Sequence, residues 1–111
     1  MQTAPLDSVF HALAEPTRRA LLLRLADGPA TVSDLAAPFD ISQPAISRHL
    51  KVLEDAGLIT SRIKGNRRPR EVVPGRLAEL RRWLAQIEAT FEARFAKLDT
   101  ILDENQGTQD G

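Results

Sequence analysis

Two short amphipathic segments joined by a tight turn come first among the informative features of this chain. A glycine-centred hairpin follows them, and a long heptad-patterned segment closes the chain. Periods near 3.6 on both sides of one alternating stretch predict a mainly α fold with a small β-hairpin. In that order the elements describe a winged helix-turn-helix.

Each element has its own local reasons. In "LDSVFHALAE", Leu6, Val9, Phe10 and Leu13 share one helical stripe. Pro16 opens a second helix, "PTRRALLLRLAD". A proline is tolerated there because a first-turn N–H has no helical partner anyway. Gly28-Pro29 stops that helix. "ATV", residues 30–32, is expected as a short strand, and Ser33 as the cap of a short third helix, "DLAAPF", which Pro38 limits. Ser42 is the expected N-cap of a fourth helix over about 43–56. Gly57 stands where a left-handed C-terminal residue is wanted.

Over about 59–73, β-branched residues flank Gly65-Asn66, a pair suited to a primed hairpin turn. Pro69 has no N–H and so belongs on an edge strand. From Arg76 the chain reads as one long helix. Leu77, Leu84, Phe91 and Leu98 recur every seven residues, with Leu80, Ile87 and Ile101 between them; Arg94, beside Phe95, interrupts that second row. Residues 1–104 are therefore expected to form one domain and 105–111 a disordered tail. A 29-residue helix is about 43 Å long, more than a small monomer covers. Phe91, Phe95, Leu98 and Ile101 then need a second copy of the chain.

Composition narrows the function. With no cysteine among 111 residues, a disulfide framework, a thiolate metal site and thiol-based sensing are all ruled out. Cysteine-free composition fits a cytoplasmic protein. No apolar run is long enough to span a membrane, and the N-terminus lacks the pattern of a signal peptide. Net charge is zero, but its distribution is uneven. From Ser42 to Arg70 there are seven basic residues and two acidic ones, so this segment carries +5 and the rest −5. Such polarity steers a protein toward anions.

On the fourth helix, a step of about 100° per residue puts Ile46, Leu50 and Leu53 on one buried stripe and Pro44, Arg48, Lys51 and Asp55 opposite. Small residues near the helix start would let its backbone approach base edges. Arg48 suits guanine or phosphate, and Lys51 suits phosphate. Ser42, Gln43 and Ser47 can bond either. His49 lies on the shoulder of the buried stripe and reads as a packed, hydrogen-bonded histidine that could also reach a phosphate. The hairpin tip, "RIKGNRRPR", adds Arg62, Lys64, Arg67, Arg68 and Arg70, a density that phosphates would neutralise. Taken singly, the helix could be a solvated face and the hairpin a loop kept basic to protect an edge strand. Their shared sign and adjacency favour nucleic acid.

"LAEPTRRALLLRLADGPATVSDLA", "ISQPAISRHLKVLEDAGLITSRIKGNRR" and "LAELRRWL" resemble the ArsR family of bacterial winged-helix repressors over about residues 6–102. The resemblance implies a homodimer that binds a pseudo-palindromic double-stranded operator. It also implies dimerisation through the first and last helices, at Leu6, Val9, Phe10, Leu13, Leu84, Ile87, Phe91, Phe95, Leu98 and Ile101. Carried over by position, Ser42, Gln43, Pro44, Ala45, Ser47, Arg48, His49 and Lys51 belong to a recognition helix in the major groove. Lys64, Asn66, Arg67 and Arg68 belong to a wing on the backbone or minor groove.

The chain departs from the metal-sensing members. Where they carry Cys-Val-Cys it has Thr31-Val32-Ser33, and no histidine follows Arg76. Glu88, Glu92 and Asp99 read as a solvated helix face rather than a metal site. No metal or other cofactor is expected, and any inducer would be a non-thiol species such as a small organic molecule. No acid, base and nucleophile assemble here, which argues against an enzyme. The alternative to a repressor is a dimeric interaction module that works through its long helix, with only non-specific DNA affinity.

Overall fold

The computed structural model describes residues 6–110, with side chains as far as Asp103. Its elements are α1 (Leu6–Leu13), α2 (Pro16–Leu25), α3 (Val32–Ala36), α4 (Gln43–Asp55), β1 (Ile59–Ser61), β2 (Arg70–Val72) and α5 (Pro74–Asp110). They fall into two units, residues 1–80 and 81–111.

The first unit is built around one core. Val9 and Ala12 of α1, Leu21 and Leu25 of α2, Leu35 of α3, and Ile46, Leu50 and Leu53 of α4 are all buried, together with Leu58 and Ile59. Leu77 and Leu80, at the start of α5, pack partly buried against this cluster. The stripe expected on α4 is thus its buried face. Val9 needs a correction: it was expected at a dimer interface, but it is wholly buried in the chain's own core and offers a partner no surface. Leu6 and Leu13 are half-buried against the same core, and Phe10 remains 39% exposed.

α4 is closed at both ends by local chemistry. Ser42 is its N-cap, as expected, and the Ser42 Oγ accepts from the Ala45 N–H at 3.3 Å. At the other end Leu58 N–H donates to Leu53 O at 3.0 Å and Gly57 N–H to Glu54 O at 2.9 Å. These two bonds are the Schellman pattern, with Gly57 at φ +79° supplying the left-handed residue.

Two expectations upstream fail. Residues 30–32 form no strand: Ala30 makes a single antiparallel bridge to Arg70, and the helix begins at Val32. The cap of α3 is Thr31, not Ser33. Thr31 and Asp34 form a reciprocal capping box, which turns the chain into a helix immediately after the bridge.

β1 and β2 pair antiparallel, Ile59 with Val72, Thr60 with Glu71 and Ser61 with Arg70. Lys64 and Arg67 bridge across the turn, with both backbone bonds at 2.9 Å. Gly65 has φ +62°, and no non-glycine residue has positive φ among the described residues. Positive φ at the first central position only is the type II′ arrangement of a hairpin turn. Pro69 contributes only its carbonyl, which accepts from Arg62 N–H at 2.9 Å.

The second unit is the rest of α5. Leu84, Phe91, Phe95, Leu98, Ile101 and Leu102 are all exposed on it, between 43% and 60%. The heptad row therefore divides: Leu77 and Leu80 serve the first unit's core, and Leu84, Phe91, Phe95, Leu98 and Ile101 form an exposed apolar row, with Ile87 half-buried, among the described residues. α5 continues as helix to Asp110, where a disordered tail is expected from residue 105. Side chains from residue 104 on, and Gly111 altogether, lie outside the described residues.

Candidate nucleic-acid interface

The start of α4 presents Gln43 and Pro44 exposed, with Ala45 half-buried between them and the core. The Ser42 hydroxyl caps the helix through its oxygen and keeps its own O–H to donate. Ser47 and Arg48 follow, both exposed, and the Arg48 side chain makes no hydrogen bond or ion pair among the described residues. One turn on, Lys51 Nζ bonds Asp55 Oδ1 at 2.9 Å. The Asp55 carboxylate raises the Lys51 pKa above its ordinary value, so Lys51 stays a cation. His49 is turned inward instead. Its Nδ1 lies 3.4 Å from Arg18 Nη1 and 3.7 Å from Glu15 Oε2.

The wing's cations divide into two groups. Arg62 is committed to Glu71, at 2.7 Å, and Arg70 is half-buried with Nη1 donating to Arg68 O at 3.0 Å. These two hold the hairpin. Lys64 and Asn66 are exposed, with no side-chain partner among the described residues. Arg67 and Arg68 are held only loosely. Arg67 Nη2 lies 3.4 Å from Asp34 Oδ2, and Arg68 Nε lies 3.4 Å from Ser61 Oγ. Ser61 in turn donates to Glu54 Oε1 of α4 at 3.2 Å, so the wing is stitched to the helix behind it.

Asp34 joins two tasks. The Thr31 N–H, then the Thr31 hydroxyl, and then Arg67 hold its carboxyl below the ordinary carboxylate value. It lines an open groove of about 430 Å³ between the start of α3 and the wing, with Thr31, Ser33, Asn66, Arg67 and Arg68. Sequence reading missed Asp34 and Glu71 as acidic partners of the wing. It also missed Glu15 and Arg18 as the groups that hold His49. None of these pairings repeats at a helical or strand period, so no local signal marks them. Ile63, 79% exposed beside the wing turn, was likewise not singled out.

Among the described residues no three His, Cys, Asp or Glu side chains are placed to hold a metal. No helix among them is long and apolar enough to cross a membrane.

Residues 13–62 match a family profile described as a helix-turn-helix domain. The chain is 48% identical over 75 residues to the HTH-type transcriptional regulator Rv2034 of Mycobacterium tuberculosis, covering 68% of this chain and 70% of that one. It is 43% identical over 60 residues to the transcriptional repressor SdpR of Bacillus subtilis, covering 54% and 67%. A crystal structure of an ArsR family transcriptional regulator is similar at a TM-score of 0.72 and 42% identity, over 78% of this chain and 96% of that one. The solution structure of the homodimeric winged helix-turn-helix DNA-binding domain Mb0332 from Mycobacterium bovis, a possible ArsR-family regulator, is similar at 0.61 and 28% identity, over 76% and 77%.

Proposed function

The chain belongs to the ArsR family of helix-turn-helix transcriptional regulators, and from that premise we propose that it is a homodimeric repressor that binds a pseudo-palindromic operator. α4 enters the major groove, and the hairpin over 59–73 lies on the backbone or in the minor groove. The observation that carries this reading is Arg48. It stands exposed, with no partner among the described residues, one turn beyond a helix start made of small side chains, where a fork of donors can reach a base edge or a phosphate. Lys64, Asn66, Arg67 and Arg68 supply the sequence-independent part, since releasing counterions from phosphate favours binding whatever the sequence.

The dimer is proposed through Phe10 and the flanks of Leu6 and Leu13 on α1, and through Leu84, Ile87, Phe91, Phe95, Leu98 and Ile101 on α5. The exposed apolar row on α5 supports it, because an uncovered row of that length is costly in water. Two-fold symmetry would set two α4 helices about 34–36 Å apart, one helical turn of DNA. We take it to act in the cytoplasm as a DNA-binding regulator rather than an enzyme, a reading supported by the lack of a converging acid, base and nucleophile among the described residues. Any inducer is a non-thiol species, an organic ligand or a partner protein, since the chain has no cysteine.

A footprint on the DNA upstream of the protein's own gene, at low and at physiological salt, tests the reading. A protected dyad-symmetric site that survives physiological salt is expected. Protection that disappears with salt would leave a basic dimer of non-specific affinity and turn attention to α5 as a protein-docking helix.

A further inference from the structure

A helix leaves its last carbonyls without partners. α1 ends at Leu13 and is followed by Ala14 and Glu15, with no glycine to close it. Two arginines of α2 take the carbonyls instead. Arg18 Nε donates to Ala12 O at 2.7 Å and its Nη2 to His11 O at 3.2 Å, while Arg19 Nη1 donates to Leu13 O at 2.8 Å. The remaining arm of Arg18, Nη1, lies 3.4 Å from His49 Nδ1 in the middle of α4. Glu15 completes the cluster: its Oε2 accepts from Arg18 N–H at 2.9 Å and stands 3.7 Å from the same histidine nitrogen.

Chemistry then dictates the histidine's state. A guanidinium has only donors, so the 3.4 Å contact is a hydrogen bond only with Nδ1 as the acceptor, while the Glu15 carboxylate, 3.7 Å from the same nitrogen, is beyond hydrogen-bond distance. In the neutral ring an accepting Nδ1 leaves the proton on Nε2. The Glu15 carboxyl is held below its ordinary value, chiefly by the Arg18 backbone N–H, so a carboxylate balances the guanidinium at neutral pH. The His49 side chain keeps 24% of its surface exposed. The ring is therefore held from behind with one donor left to offer.

The geometry points to Arg18 as a positioning residue for DNA binding, tying the end of α1 to the middle of α4 and leaving His49 Nε2–H as a donor for a DNA phosphate. This rests on the repressor reading above. It also makes α1, part of the proposed dimer interface, mechanically continuous with the helix that enters the groove. Arginine suits the task because its planar fork spans three acceptors at fixed angles, which a single ammonium cannot.

The test has two arms. The first needs no DNA. The ¹⁵N spectrum of the His49 ring in the wild-type protein, at a pH where it is neutral, is expected to show the Nε2–H tautomer, and R18M is expected to show a mixture. A proton on Nδ1 in the wild type would overturn the inference whether or not R18M folds. The second arm measures affinity by fluorescence anisotropy for the footprinted duplex and for a scrambled duplex of the same composition. R18M and H49A are each expected to lose about tenfold on the footprinted duplex, the scale of one charge-assisted hydrogen bond. The double variant should be no weaker than either single one. H49Q, whose amide nitrogen can stand near the Nε2 position, should bind better than H49N, and R18K should fail to rescue.

An arginine that only closed α1 would lower the melting temperature and add its effect independently to that of H49A, and additivity would overturn the positioning role. If the wild type prefers neither duplex while its tautomer is as expected, the repressor reading has failed and not the Arg18–His49 contact. The inference then loses its DNA role.

Discussion

Removing Arg67 and Arg68 together should change how DNA binding responds to salt more than how it responds to sequence. On α4 and the wing, the exposed cations with no side-chain partner, or only an exposed or distant one, are Arg48, Lys51, Lys64, Arg67 and Arg68. Two protomers bring about ten of them to a duplex, for a slope of log affinity against log salt of about −9 at 0.9 per phosphate. Alanine at both positions removes four charges per dimer and should reduce that slope by about 3.6. Between 50 and 200 mM salt the wild type would lose about five orders of magnitude in affinity and the variant about three. Both arginines are easily recruited. Arg67 is 3.4 Å from Asp34 with its side chain 65% exposed, and Arg68 is 3.4 Å from a serine hydroxyl. Arg62 is a control, because its 2.7 Å pairing with Glu71 keeps it in the hairpin; Arg62→Ala should leave the slope nearly unchanged. Anisotropy titrations across salt, on the footprinted duplex and on a scrambled one, read the effect. An unchanged slope in the double variant, or a loss confined to the footprinted sequence, would refute the wing's role as a phosphate clamp.

Other outcomes follow from single residues. Arg48→Ala should weaken the footprinted duplex by about tenfold to a hundredfold, the scale of one lost bidentate contact, with thermal melting unchanged; wild-type affinity would remove Arg48 from the groove. Phe91→Asp puts a charge into the exposed row of α5 and should halve the mass seen in sedimentation, whereas an unaltered mass would place the dimer elsewhere. Gly57→Ala forces a side chain into φ +79°, with its Cβ 3.2 Å from Arg76 Cγ, and should cost about 1–2 kcal/mol in chemical denaturation. A change within error would mean the Schellman turn can shift to accept it. Glu15 and Asp34 both have carboxyls held below their ordinary values of 4.5 and 3.8. Depressed carboxylates add stability that is present above the unfolded values and lost as pH falls through the folded ones. Melting should therefore hold from neutrality to about pH 5 and decline below it, less steeply in Glu15→Gln; equal acid slopes would show that Glu15 contributes nothing.

α4 and the wing were legible because their determinants are local. Ser42, the Ile46–Leu50–Leu53 spacing and Gly57 lie within sixteen residues of each other and act through bonds within one helix. The Gly65-Asn66 turn likewise needs only its own backbone and its flanking strands. A helix cap is harder to read where two candidates stand together. Thr31 and Ser33 both have the right hydroxyl, but only Thr31 has a carboxylate three residues on, Asp34, so the capping-box spacing that ranks them was already in the sequence. The Ala30 bridge to Arg70, forty residues away, fixes the chain at the position just before Thr31.

The amino-acid sequence by itself determined the element order, the polarity of charge, the buried stripe of α4 and the absence of thiol chemistry. Each depends on period, composition or a short-range bond. Only the tertiary structure decided which apolar residues serve this chain's own core and which remain exposed. A hydrophobic stripe has the same period in both cases, which is why Val9 disappears into the core while Phe91 and Leu98 stand in water. The tertiary structure also decided which cations are free. Arg62 and Arg48 look alike in the sequence, yet Glu71 claims the one and nothing among the described residues claims the other. His49 depends most on the fold. Its partners lie more than thirty residues upstream, and only the packing of α2 against α4 brings a guanidinium to its ring.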